Sequence, residues 1–110
     1  MEKLRQYLEA FDGSAGWDTV GPLFEDLLHD DLVYVTPNGE LSKDKFRHVA
    51  QNALATGIKV SDVRMHGHGD DIIHFDSKVT AADGTVTPSS STGAIKDGKL
   101  VRVEPRDPGT

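Results

Sequence analysis

The stretch Asp31-Leu32-Val33-Tyr34-Val35-Thr36-Pro37-Asn38-Gly39 fixes the order of elements around it. Leu32 to Val35 is a compact β-prone run, and Pro37-Asn38-Gly39 closes it with turn chemistry, so a short strand is expected here. Both flanks read as helix. Upstream, Asp18 to Leu28 carries Val20, Phe24, Leu27 and Leu28 on one side, with Trp17 at the entry. Pro22 suits a first turn better than an interior, which moves the expected start toward Gly21. Downstream, Ser42 is an N-cap for a helix whose apolar face is Phe46, Val49, Ala50, Ala53 and Leu54, and Gly57 ends it. Nearer the start, Leu4, Tyr7, Leu8 and Phe11 fall at i, i+3, i+4 and i+7. That spacing predicts an amphipathic helix from about Glu2 to Phe11, closed by Asp12 to Gly16.

From Ile58 onward the apolar period is two. Ile58 to His66, Asp71 to Thr80, Thr85 to Ile95 and Lys99 to Glu104 read as four strands, with Ala82-Asp83-Gly84 and Asp97-Gly98 as tight turns between them. Three helices with one strand among them, followed by an antiparallel run, predict an α+β fold with the helices on one face of a curved sheet. The concave face then holds the core and a pocket. One domain over residues 1–105 is expected, with 106–110 as a flexible tail.

Composition narrows the function classes. The chain has 110 residues, long enough to bury roughly 60 to 70% of its unfolded surface around a modest core. Eighteen Asp plus Glu against 12 Lys plus Arg leave a net charge of -6, a surface that repels nucleic acid and anionic membranes. The absence of cysteine excludes disulfides, thiolate metal sites and a Cys nucleophile. No apolar run has the length of a signal peptide or a membrane span, so a cytoplasmic location is expected. No Gly-rich phosphate loop is found, and no cofactor is expected.

Several local strings resemble the group of ketosteroid isomerases, SnoaL-like polyketide cyclases and nuclear transport factor 2. They are Tyr7-Leu8-Glu9-Ala10-Phe11, Trp17-Asp18, Leu23-Phe24-Glu25-Asp26-Leu27, Asp31 to Gly39, and Ala94-Ile95-Lys96-Asp97-Gly98-Lys99-Leu100. Asp31 to Gly39 followed by Leu41-Ser42-Lys43-Asp44 is also similar to a largely uncharacterised branch of that superfamily. The resemblance implies a cone-shaped α+β fold with three N-terminal helices on a strongly curved, mainly antiparallel sheet. It further implies a pocket for a small apolar molecule, a cofactor-free isomerase, cyclase or dehydratase reaction, and a homodimer formed through the outer sheet face. A noncatalytic ligand-binding or dimerisation scaffold is the alternative.

In ketosteroid isomerases a carboxylate before a strand Pro shuttles the proton, while a helix Tyr and a protonated Asp donate to the enolate oxygen. Matching the strings puts Tyr7 at the Tyr, Thr36 at the base and Ser91 at the Asp. A threonine hydroxyl takes no proton from carbon at neutral pH without its own base, so steroid-type isomerisation is not expected. Candidate catalytic residues are therefore Tyr7, Thr36, Ser91 and His74. The expected pocket lining is Tyr7, Phe11, Trp17, Phe24, Tyr34, Thr36, Phe46, Phe75, Ser89 and Ser91.

Several of these carry a second reading. Tyr7 also fits as part of the apolar helix stripe. Ser89 and Ser91 either face the pocket by alternation or belong to a half-exposed strand beside Pro88. His74, between Ile73 and Phe75, points to the outer face, whereas a one-residue shift in register makes it a pocket base. His66, His68, Asp70 and Asp71 are rich in metal ligands but fall in an expected hairpin turn, so no metal is expected. His29 and His48 read as solvated helix residues.

Overall fold

A computed structural model describes residues 2–67 and 69–106. Helices α1 (Glu2–Glu9) and α2 (Trp17–Leu27) lead into strands β1 (Leu28–Thr36) and β2 (Gly39–Ser42), then helix α3 (Lys43–Ala55). Strands β3 (Lys59–Gly67), β4 (Ile72–Thr80), β5 (Val86–Lys96) and β6 (Lys99–Pro105) follow. The strands form one open mixed sheet in the order β2-β1-β6-β5-β4-β3. β1 runs parallel to β6, and the other neighbours are antiparallel.

The expected helices and strands are present, with shifted ends. α1 stops at Glu9, but the chain turns through an Ala10 N to Gln6 O bond that keeps Phe11 buried. α2 starts at Trp17, not near Gly21, because the Gly16 carbonyl accepts from Thr19 N and Val20 N. Pro22 therefore lies inside the helix. Its ring is exposed, and the donor it lacks would have reached the exposed Asp18. β1 begins at Leu28, directly after α2, so His29 is a strand residue and not a solvated helix residue. Its side chain is only 17% exposed and sits between Asp31 and Asp97. β2 was not expected; Leu41 is its one large apolar residue, and pairing with β1 holds it extended. At α3, Ser42 accepts from Lys45 N as the cap, and Gly57 takes the positive φ of 82° that favours glycine.

The core joins all three helices to the sheet. Leu4 and Tyr7 of α1, Val20, Phe24 and Leu27 of α2 and Ala50 of α3 share one buried cluster with Leu28, Leu32, Ile73, Phe75, Leu100 and Val103. Close packing makes glycine necessary at Gly93. A Cβ there would stand 2.8 Å from Leu100 Cδ2 and 3.3 Å from Ile73 Cγ2.

At the sheet edge, β3 bulges between Ser61 and Arg64, where Asp62 adopts φ 51°. Arg5 Nη1 of α1 reaches over and donates to the Val63 carbonyl at 3.4 Å. Of the expected tail, residues 107–110 lie outside the described residues. Arg106 is held, its amide donating to Ser90 O and its Nη2 to Asp76 Oδ1 at 2.9 Å.

Candidate functional site

The site grows from strand alternation. Inward residues of β4 are Ile73, Phe75, Ser77 and Val79, and the antiparallel register sets Ser91 opposite Phe75 and Ser89 opposite Ser77. Helical spacing points Tyr7, Leu8 and Phe11 at the same wall, and α3 covers it with Phe46, Val49, Ala50 and Ala53. Together these residues enclose a cleft of about 240 Å3, with Tyr34 contributed by β1. Behind it lies a small apolar void of about 50 Å3, bordered by Tyr7, Tyr34, Phe46 and Phe75 and closed by Leu4, Leu27, Leu28 and Leu100. Val49, 49% exposed, forms one lip of the opening. A larger groove of about 340 Å3 between α1 and β3 is bordered by Arg5, Glu9 and Asp62. Exposed charged side chains lie along it, so it offers no enclosed apolar surface for a ligand.

An aromatic frame supports the cleft. Tyr34 stacks on Phe46 with centroids 4.1 Å apart and planes inclined by 13°, and Phe46 stacks on Phe24 at 5.7 Å. Tyr7 meets Phe11 edge-on at 5.3 Å. Phe24 is fully buried behind this wall, and Trp17 packs on Phe24 at 5.5 Å. Both therefore hold the frame from outside the cleft and do not line it.

Thr36 does not reach the cleft either. It sits at the end of β1, where its hydroxyl donates to Gly39 O at 2.7 Å and accepts from Asn38 N at 3.2 Å. The turn uses the hydroxyl that the string match placed at a catalytic position. Tyr7, Phe11, Tyr34, Phe46, Phe75, Ser89 and Ser91 are brought together at the cleft. Ser77 joins them, a residue the sequence reading did not single out. Its signal was the same period-two pattern, masked by charged Asp76 and Lys78 on either side. Both readings of the serine run hold in part. Ser89 and Ser91 face the cleft, while β5 before Ser90 pairs only with β4 among the described residues, so the donor missing at Pro88 costs no described ladder bond.

The electrostatics of the cleft are those of neutral hydroxyls. Burial raises the Tyr7 phenol far above its ordinary 10.0, with a smaller contribution from Tyr34, and burial raises Tyr34 as well. Among the described residues no protein group hydrogen-bonds the hydroxyls of Tyr7, Tyr34, Ser77, Ser89 or Ser91. Among the described residues no Asp, Glu, His, Lys or Arg borders the cleft.

His74 lies on the opposite side of the sheet, its Nδ1 3.0 Å from Thr92 Oγ1, because Ile73 and Phe75 take the inward positions. Nearby, His66 Nε2 donates to Asp76 Oδ2 at 2.8 Å. Bonds from Ser90 and then His66 hold the Asp76 carboxyl below its usual range. His68 of the suggested metal patch lies outside the described residues. Among the described residues no three His, Asp or Glu side chains are placed to share a metal ion.

No protein-family model matches the chain, and no curated protein sequence matches it. Solved structures do. A candidate polyketide cyclase from Pseudomonas putida KT2440 superposes with a TM-score of 0.74 at 20% identity, covering 96% of this chain and 89% of its own. A candidate SnoaL-like polyketide cyclase from Jannaschia sp. CCS1 gives 0.74 at 11% identity, over 96% of this chain and 82% of its own. An NTF2-like protein of unknown function from Cytophaga hutchinsonii gives 0.73 at 11% identity, over 97% and 88%. The chain thus has the fold shared by SnoaL-like and nuclear transport factor 2-like proteins, as its sequence strings suggested.

Proposed function

We propose that this chain is a small-molecule pocket protein that binds an uncharged, largely apolar carbonyl compound in the cleft between its helices and the concave face of a cone-shaped sheet. One observation carries the reading. Among the described residues, five hydroxyls without protein partners face an otherwise apolar cleft that no Asp, Glu, His, Lys or Arg borders. Hydroxyl donors polarise a carbonyl, but abstracting a proton from carbon needs a positioned base. The arrangement therefore favours binding, and a cofactor-free isomerase, cyclase or dehydratase reaction here would have to draw its base from the substrate or from water.

Replacing the Tyr7 hydroxyl tests this. Tyr7→Phe is expected to weaken binding of an aromatic ketone such as 2-acetylnaphthalene about fivefold, the value of one neutral hydrogen bond. Thermal stability should hold or rise, since the hydroxyl has no partner among the described residues to lose. Unchanged affinity by calorimetry would remove the chemical basis of the site. Deuterium exchange at the methyl carbon of the same ketone should stay at the buffer rate in wild type; acceleration would favour the enzyme reading.

We further propose a homodimer through the outer sheet face and a cytoplasmic location. Ile72, 41% exposed, stands there in register with Ala94, beside Arg102 and Glu104, which pair with each other within the subunit and so leave the patch without an unbalanced charge to repel a second copy related by a twofold axis. The net charge of -6 supports a protein without nucleic-acid or membrane partners. Cell fractionation checks the location, and recovery in the membrane pellet would refute it.

A further inference from the structure

We infer that the cleft is shaped for a flat, uncharged ligand of one or two rings that carries an oxygen function at each end. The Tyr7 and Tyr34 phenols receive one end, and the paired Ser77 and Ser89 hydroxyls receive the other. This rests on the pocket reading above and adds the class of ligand to it.

Size sets the first limit. About 240 Å3 falls below the roughly 300 to 1,000 Å3 of pockets for drug-sized ligands, so large fused-ring compounds do not fit. Charge sets the second. An ionised carboxylate entering this cleft would lose its water and find no cation among the lining residues, a loss that apolar contacts do not offset.

The two-ended requirement comes from where the hydroxyls sit. Tyr7 and Tyr34 border both the cleft and the apolar void behind it, which puts them at its inner end. Ser77 and Ser89 border the cleft but not the void. Directly opposed residues on one sheet face have Cβ atoms roughly 4.5 to 5.5 Å apart, so these two serines act as a pair. Two residues of strand, about 6.8 Å, separate that pair from the Phe75–Ser91 level beside the tyrosines. The other walls are Phe75, Ala50, Ala53, Ile58, Val60 and Val79, and the paired Val60 and Val79 continue the cleft one level past the serines. The near-parallel Tyr34 and Phe46 rings add a planar surface, which suits a flat body.

Three naphthalenes distinguish the features. 6-Acetyl-2-naphthol carries both oxygen functions, 2-acetylnaphthalene only one, and 6-hydroxy-2-naphthoate has a charge at one end. Calorimetry on the intact chain should show the first binding about fivefold more tightly than the second, and the third at least 100-fold more weakly than the first. In Ser77→Ala/Ser89→Ala the advantage of the first over the second should vanish while the second keeps its affinity. Ser77→Thr/Ser89→Thr, which keeps both hydroxyls on β-compatible residues, should retain the advantage. Equal affinity for the two neutral probes, or an advantage that survives the double alanine variant, overturns the two-ended assignment and leaves the pocket reading standing. Naphthoate binding as tightly as the naphthol overturns the charge limit. Binding of none of the three overturns this inference and the pocket reading together.

Discussion

Gly93 lies on β5 where the sheet meets the fully buried Leu100, and the missing Cβ is what lets that contact form. Leu100 is enclosed by the core, so it cannot swing aside as a surface side chain would. Gly93→Ala is expected to destabilise the fold by about 1 to 3 kcal/mol through overpacking. Pairing it with Leu100→Ala should cost less than the two single changes added together, because the new methyl fills part of the space vacated. Urea unfolding of the four proteins measures this, and strict additivity would show that the two positions do not touch. Tyr7 presents the opposite situation, a large buried side chain whose polar atom has no partner among the described residues. Burial keeps it protonated far above pH 10, so its donor is present throughout the neutral range. Because its folded pKa is raised, its contribution to stability is complete below about pH 10 and is lost as pH climbs through the folded value.

Helix α3 is set in place at its first turn. Ser42 caps it, and Lys43 is buried between Glu25 and Asp30 at 3.1 and 3.2 Å, tying the helix start to α2 and β1. Ser42→Ala should lower stability by about 1 kcal/mol, read as a shift in the urea midpoint without a change in slope. This helix was legible in the sequence because both of its ends carry local signals, Ser42 and Gly57. β2 was not, because Gly39-Glu40-Leu41-Ser42 has no alternating pattern and becomes a strand only through β1. The same contrast runs through the site. Alternation pointed Phe75 inward and offered Ser89 and Ser91 as pocket-facing beside the reading of a half-exposed strand, and the structure brings all three to the cleft with Tyr7. Thr36 was assigned from a matched string, and local geometry set its role instead: two hydrogen bonds in the β1–β2 turn. Trp17 and Phe24 are apolar residues on the right helix, but the sequence does not say which aromatic stands in front. Phe46 and Tyr7 occupy that layer.

At the scale of the whole molecule the two sheet faces have different tasks. The inner face carries the core and the cleft. The outer face displays polar side chains around exposed Ile72, and the proposed dimer would cover it. Ile72→Glu is expected to leave the unfolding midpoint of the isolated subunit nearly unchanged while shifting sedimentation from dimer toward monomer. A single monomeric species in wild type at tens of micromolar would end the dimer proposal. The sheet also has two edges, at β2 and β3. On β3 the extra residue at Asp62 breaks the regular spacing of outward amide and carbonyl groups, and Arg5 already occupies the Val63 carbonyl. A passing strand from another chain therefore meets a kinked, charged and partly blocked border, with no continuous ladder to extend. Along β3 the open sheet therefore offers no continuous template for fibrillar growth, and the proposed pairing through the broad outer face would leave that border untouched.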